Sequence, residues 1–181
     1  LFRSAYANDT GVTSPGCTTI RYATQDDLAV LTEIYNHYVL HTAATFDIEP
    51  FDVSARQTWF DHYGPTGPHR LLVATHDGKV VGYATSSRFR PKPAYDTSVE
   101  MTIYLHPSAT GGGIGSALYE RLFAELRDEP LHRAYAIIAL PNPASVALHR
   151  RFGFVEIGTM TEVGRKYDQW WDVLIMQRSL P

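Results

Sequence analysis

Between residues 98 and 116 the chain leaves itself few options. Ser98-Val99-Glu100-Met101-Thr102-Ile103-Tyr104-Leu105 alternates Glu100, Thr102 and Tyr104 with Met101, Ile103 and Leu105, the period-two pattern of a half-buried strand. Thr110-Gly111-Gly112-Gly113-Ile114-Gly115-Ser116 comes next and opens a helix whose Ile114, Leu118, Leu122 and Leu126 share one stripe. In a strand, glycine turn and helix in that order, the turn's backbone N–H groups are uncovered. The first helical turn adds donors without intrahelical partners and the positive end of the helix dipole. The segment is therefore built to grip a phosphate-bearing ligand beside a strand face that carries a carboxylate and hydroxyls.

Two common phosphate-binding plans do not fit. A Walker A loop ends Gly-Lys-Ser/Thr, but Gly115 leads straight to Ser116. A dinucleotide fingerprint asks for an acid at the end of the next strand, and that strand, Ala134 to Leu140, runs into Pro141-Asn142 instead. The 181 residues, 44% of them hydrophobic, suit one domain with a substantial core. A net charge of −3 gives no basic footprint for nucleic acid, and no apolar run reaches membrane-spanning length. The single cysteine, Cys17, excludes an internal disulfide framework and predicts a reducing, cytoplasmic setting. Residues 1–17 are read as a floppy arm or expression remnant, leaving 18–181 as the domain. His37 and His41 lie one helical turn apart but lack a third ligand at a supporting spacing, so no metal is expected.

The remaining elements follow from periodicity. Ile20 to Ala23 reads as a strand, with Thr24 and Asp27 as a capping box for a helix bearing Leu28, Leu31, Tyr35 and Tyr38. A second helix is expected from about Ser54 to Tyr63. Leu71 to Ala74 and Val80 to Ala84 flank Asp77-Gly78 as a hairpin. Asn142 with Pro143 starts another helix, and strands are expected from Phe154 to about Thr161 and from Trp171 to about Arg178. On the helix after Asn142, Ser145 and His149 share a polar face with the cap.

Strand, Gly-x-Gly loop and helix, then strand, Asn142 and a helix ending Arg151-Phe152-Gly153-Phe154, resemble the acetyl-CoA site of the GNAT superfamily of N-acetyltransferases. The match narrows with Ile34-Tyr35-Asn36, Ala44-Thr45-Phe46, Arg90-Pro91, Ser98-Val99-Glu100, Ser145-Val146-Ala147-Leu148-His149, Val163-Gly164-Arg165-Lys166-Tyr167 and Trp170-Trp171-Asp172. These resemble the phosphinothricin and methionine sulfoximine or sulfone acetyltransferases, over roughly residues 19 to 178.

The resemblance implies an α/β fold with a mixed sheet of about seven strands, splayed between two parallel strands and covered by helices on both faces. It implies a homodimer acting on a small-molecule amine, with acetyl-CoA in the splay. Pantetheine would pair with the backbone of Ile103, Tyr104 and Leu105. The diphosphate would rest on Gly111, Gly112, Gly113, Ile114, Gly115 and Ser116, with Asn142, Ser145 and His149 facing it. Glu100 would be the general base, and the substrate positions map to Arg90, Pro91 and Lys92 and to Glu100, Met101 and Thr102. At the loop the chain departs from the family pattern, which opens with Gln or Arg and puts a basic residue between the first two glycines. Here Thr110 and Gly112 stand in those places, so backbone alone must hold the diphosphate.

From the residues themselves, Arg90 offers a planar fork to a substrate carboxylate, and Tyr35, Phe46, Trp170 and Trp171 are expected to wall the pocket. His149 either protonates the leaving thiolate or orients the cofactor. Two other functions fit the same sequence: a peptide or protein N-terminal acetyltransferase, which needs an open groove, and a non-catalytic acyl-CoA sensor, which needs no Glu100.

Overall fold

The computed structural model describes residues 18–181, so the N-terminal arm and Cys17 lie outside the described residues. One seven-stranded sheet organises the chain, in the order β1-β2-β3-β4-β5-β7-β6. The strands are β1 (Thr18–Tyr22), β2 (Arg70–His76), β3 (Lys79–Arg88), β4 (Ser98–Leu105), β5 (Arg133–Ala139), β6 (Val155–Lys166) and β7 (Gln169–Ser179). The helices are α1 (Leu28–His41), α2 (Gln57–Phe60), α3 (Ile114–Glu125) and α4 (Pro143–Arg151).

Helices cover both faces. β2 is accordingly apolar along its length rather than alternating: Leu72 and Ala74 face α3, with Leu118, Tyr119 and Leu122, whereas Leu71 and Val73 face α1, with Leu31 and Ile34. Asp27 links β1 to the start of α1, its carboxylate accepting from the Thr24 N–H at 2.7 Å and from both terminal nitrogens of Arg21. The Asp77-Gly78 turn has positive φ at both residues, as a tight hairpin requires.

Most expected elements are found. The helix expected over 54–63 is a correction: one turn of 3₁₀-helix (Ser54–Arg56) and the single α-turn of α2 give way at Asp61 to i to i+3 turns that reach Tyr63. β6 and β7 are longer than their alternation suggested, because they pair with each other as a hairpin extending to Lys166 and Gln169.

What positions the site is a failure of pairing. β4 and β5 run parallel and are joined only at Ser98 with Arg133, Val99 with Ala134 and Glu100 with Tyr135. Beyond that point β4 stays with β3 as far as Leu105 and Gly82, and β5 stays with β7 as far as Ala139 and Val173. The two central strands part, and a window opens through the sheet.

Gly82 keeps β4 seated beside β3. A Cβ there would overlap the Leu105 side chain and lie 2.9 Å from the Tyr104 carbonyl oxygen, which is backbone and cannot swing aside. We expect Gly82→Ala to cost about 1–3 kcal/mol by overpacking. A denaturant midpoint equal to the parent's would show that the strand accommodates the methyl.

Candidate active site

Two cavities meet at the window. On the α3–α4 side a cleft of ≈ 360 Å³ is bordered by β4 from Met101 to Leu105, by β5, by the glycine turn and by the start of α4. Its glycine wall exists because Gly111 and Gly113 hold φ of +81° and +78°, a region other residues enter only with strain. Gly113 is the N-cap of α3, so the first turn of that helix opens on the cleft. Asn142 caps α4 through its side-chain oxygen, which accepts from Ser145 N–H at 3.1 Å, leaving its amide nitrogen available. Two helix N-termini and an unpaired strand edge thus face one space.

Of the residues expected to hold a cofactor, Ile103, Tyr104, Leu105, Gly111, Gly113, Gly115, Ser116, Asn142, Ser145 and His149 border this cleft. Gly112 and Ile114 do not; Ile114 is buried in the core under α3. No lysine or arginine is among the bordering residues, in keeping with the loop's departure from the basic pattern.

His149 is 3% exposed. Its Nδ1–H donates to the Ser145 carbonyl at 2.8 Å, which fixes the tautomer, and its Nε2 accepts from the Tyr119 hydroxyl at 2.8 Å. Burial lowers its pKa against a smaller opposing pull from the Ser145 carbonyl, so the ring stays neutral.

On the α1–α2 side lies a cavity of ≈ 510 Å³ walled by aromatic and polar side chains. Tyr83, Thr85 and Ser87 of β3 stand opposite Tyr104, Thr102 and Glu100 of β4, a ladder of polar groups running along one face of the sheet. Glu100 heads this ladder. Its burial raises the carboxyl pKa, and the nearby Arg90 charge pulls it partly back. Tyr35 reaches in from α1: its hydroxyl donates to Asp47 and sits 2.8 Å from Thr45 Oγ1, and burial with that carboxylate pushes its pKa up to about 12. Lys166 of β6, itself buried, donates to the Thr45 carbonyl at 2.9 Å and holds the 44–47 segment against the hairpin. Phe46 rests on Gly164 so closely that a Cβ there would fall inside its ring.

Tyr35, Phe46, Glu100 and Thr102 therefore meet in the aromatic cavity as expected. Met101 does not. It points to the opposite face, buried with α3, and borders only the glycine cleft. Arg90, Pro91 and Lys92 are exposed on the connection after β3 and border neither cavity. The expected Trp walls are also absent from both: Trp170 is 60% exposed beside Arg165, and Trp171 donates its indole N–H to the Lys166 carbonyl within the hairpin. In their place stand Arg56, Trp59, Tyr63 and Tyr83. Alternating Tyr83, Thr85 and Ser87, and Arg56 with Trp59 three residues on, were the available signals for these residues. Thr102, Tyr104, Ile137, Ala139 and Ala44 border both cavities, so the two spaces adjoin. Among the described residues no cluster of three or more His, Cys, Asp or Glu could hold a metal, and no helix is long and apolar enough to cross a membrane.

Residues 31–154 match the family model described as Acetyltransferase (GNAT) family. A phosphinothricin N-acetyltransferase of Streptomyces coelicolor is 53% identical over 163 residues, covering 89% of this chain and 95% of that protein. An L-methionine sulfoximine/L-methionine sulfone acetyltransferase of Salmonella typhimurium is 38% identical over 162 residues, covering 90% and 94%. Among solved structures, a phosphinothricin acetyltransferase of Sinorhizobium meliloti in complex with acetyl-CoA superposes with a TM-score of 0.85 at 38% identity, covering 90% of this chain and 88% of that one. A strand that parts from its neighbour above a glycine turn, within a matched span of this extent, places the chain in the GNAT family of acetyltransferases.

Proposed function

We propose that the chain transfers an acetyl group from acetyl-CoA to the α-amino group of a small free amino acid or analogue of the phosphinothricin, methionine sulfoximine or methionine sulfone type. The observation that carries this reading is the window itself: it joins a cleft fit for a thioester's long phosphorylated arm to a cavity holding a desolvated carboxylate. The relatives' printed substrates support the acceptor class, and the acetyl-CoA complex of the Sinorhizobium meliloti enzyme supports the donor. The glycine turn would take the diphosphate on backbone N–H groups, and the free edge of β4 would pair with the amide-bearing arm.

Acetyl-CoA supplies a thioester whose carbonyl carbon accepts the amine while the thiolate departs, taking the second proton that the nitrogen sheds as the amide forms. The chain's part is to free the amine. Glu100 takes a proton from the ammonium group, directly or through water, so that nitrogen's lone pair can form the new C–N bond. As charge builds on the carbonyl oxygen, a backbone N–H on the unpaired edge near Ile103 donates to it. The commitment of both ring nitrogens supports a positioning role for His149, since proton delivery would break one of those bonds.

Arg90 borders neither cavity, but its charge reaches Glu100 at the cavity's end, which supports its pairing with the substrate's α-carboxylate to hold the adjacent amine at the base. Exposed Val155, Ile157 and Met160 along the edge strand β6 support the homodimer. We place the protein in the cytoplasm, as a single domain over residues 18–181.

The test is a thiol-release assay with acetyl-CoA against free amino acids, their sulfone, sulfoximine and phosphinic analogues, the corresponding α-amides, and a short peptide with a free N-terminus. Free acids are expected to react, and amidation to lower kcat/KM by about ten- to hundredfold, the worth of a charge-assisted hydrogen bond. Equal turnover of free acids, amides and peptide would instead establish the peptide acetyltransferase.

A further inference from the structure

Among the described residues, the buried polar side-chain atoms without a hydrogen-bond partner belong to only three residues: Arg56, Arg70 and Tyr83. Arg70 is paired with Glu129 through its Nη2 at 2.5 Å. Arg56 and Tyr83 have no such relief, and both border the aromatic cavity. Arg56 is 6% exposed, and its Nε and Nη2 are unpartnered. Its guanidinium is clamped by rings, 3.8 Å from the Trp59 centroid and 4.2 Å from that of Tyr35. None of the ion pairs among the described residues includes it. Tyr83 is 1% exposed, its hydroxyl is unpartnered, and its ring lies edge-on to Trp59 at 5.8 Å.

A buried guanidinium without a counter-charge is costly unless something compensates it. Ring stacking returns part of that cost but leaves the in-plane N–H donors unsatisfied. Asp47, the other carboxylate bordering this cavity besides Glu100, is engaged by the Tyr35 hydroxyl. Arg56 and Tyr83 thus hold unpaired donors, the N–H groups of a cation and an O–H, in the wall of a cavity already suited to a small molecule. The complementary group is an oxygen-rich acceptor that carries or shares negative charge.

We propose that Arg56 and Tyr83 form an oxo-group subsite that binds the side-chain tip of the acceptor amino acid, taking phosphinate, sulfonyl or carboxylate oxygens. The proposal rests on the acceptor being a free amino acid. The polar ladder separates the tip from the α-carboxylate. Glu100 pairs with Ser87 at one end, and Tyr83 pairs with Tyr104 at the other, four residues on and about 13 Å along the strand. An amine at Glu100 keeps its own α-carboxylate within a few ångströms, on the Arg90 side. Only the far end of the side chain extends toward Tyr83. The subsite selects for side chains that end in hydrogen-bond-accepting oxygens and against a plain thioether.

The test compares the parent with Arg56→Met, Arg56→Lys and Tyr83→Phe on phosphinothricin, methionine sulfone and methionine, with phosphinothricin α-amide as a fourth acceptor. Arg56→Met is expected to lower kcat/KM by about ten- to hundredfold for the oxygen-tipped acceptors, including the amide, and to leave methionine nearly unchanged. Arg56→Lys should recover part of the loss, and Tyr83→Phe should show a smaller loss with the same selectivity. Calorimetric titration with CoA checks that each variant keeps its fold; if Arg56→Met fails, the other two variants carry the comparison. Equal losses across all acceptors would make Arg56 structural, and a loss that vanishes with the amide would move it to the α-carboxylate; either overturns the proposal. Calorimetric binding of phosphinothricin separates the subsite from the reaction. Binding by the parent that Arg56→Met weakens, without turnover, would sustain the subsite and sink the acetyl transfer. No binding by the parent, or equal binding by parent and variant, would sink the subsite.

Discussion

Glu100→Gln is expected to lower kcat by about 10²–10⁴-fold at neutral pH, the usual worth of a positioned base. Glutamine keeps the volume and the hydrogen-bonding reach of the side chain but cannot accept a proton from an ammonium group. The pH dependence supplies the sharper check. A base works only while ionised, and burial raises the Glu100 pKa more than Arg90 lowers it. Activity of the parent should therefore fall as pH drops through a value above the ordinary carboxylate range, and this limb should be missing from the variant. The deficit should narrow at high pH, where the amine is already neutral. Glu100 borders only the aromatic cavity, so CoA affinity should be preserved. A variant with parental kcat between pH 6 and 9 would place the base elsewhere.

The second large effect is expected from a single methyl group. In Gly164→Ala the new Cβ claims space held by the Phe46 ring. That ring is about one-third exposed, so it can swing outward, and the fold should pay little. The acceptor loses one wall of its cavity. We expect kcat/KM for the amino acid to fall by about ten- to hundredfold, mostly through KM, on the scale of a misfitted apolar pocket. The affinity for CoA should stay at the parental value, because neither Phe46 nor Gly164 borders the glycine cleft. Weakened CoA binding together with a lowered melting temperature would instead show that the substitution disturbs the whole hairpin.

Legibility in the sequence followed the range of the interactions. The strand, glycine turn and helix over 98–125 are local, and alternation, helical spacing and the special backbone needs of Gly111 and Gly113 suffice to specify them. The Asn142 cap is equally local. The aromatic cavity is not: α1, the 44–47 segment, the turns around Arg56 and the middle of β3 come together only through tertiary packing. Arg56 sits in Ser54-Ala55-Arg56-Gln57, which reads as a solvated helix start until Trp59 and Tyr35 are seen to enclose it. Trp170 and Trp171 erred in the other direction. Large rings suggested a pocket wall, yet one is solvent-facing and the other fastens its own hairpin. His149 read as a proton donor or a residue that orients the cofactor, and nothing local announced Tyr119 as its partner across thirty residues.

The separation of the two cavities by the sheet has a consequence for how such a chain can change over time. The acceptor side draws chiefly on residues 35–87, and the glycine cleft chiefly on residues 101–149, with β4 as the hinge between the two blocks. Later in the chain the acceptor side also takes Glu100, Thr102, Tyr104, Ile137, Ala139 and Val173. Substitutions in the first can retune which amine is accepted while the machinery for the shared acyl donor is inherited intact. The connection from residues 89 to 97 divides the two blocks along the chain, but Gly164 and Lys166 of β6 hold the 44–47 wall from beyond it, so an acceptor preference exchanged at that seam has to carry its β6 contacts with it.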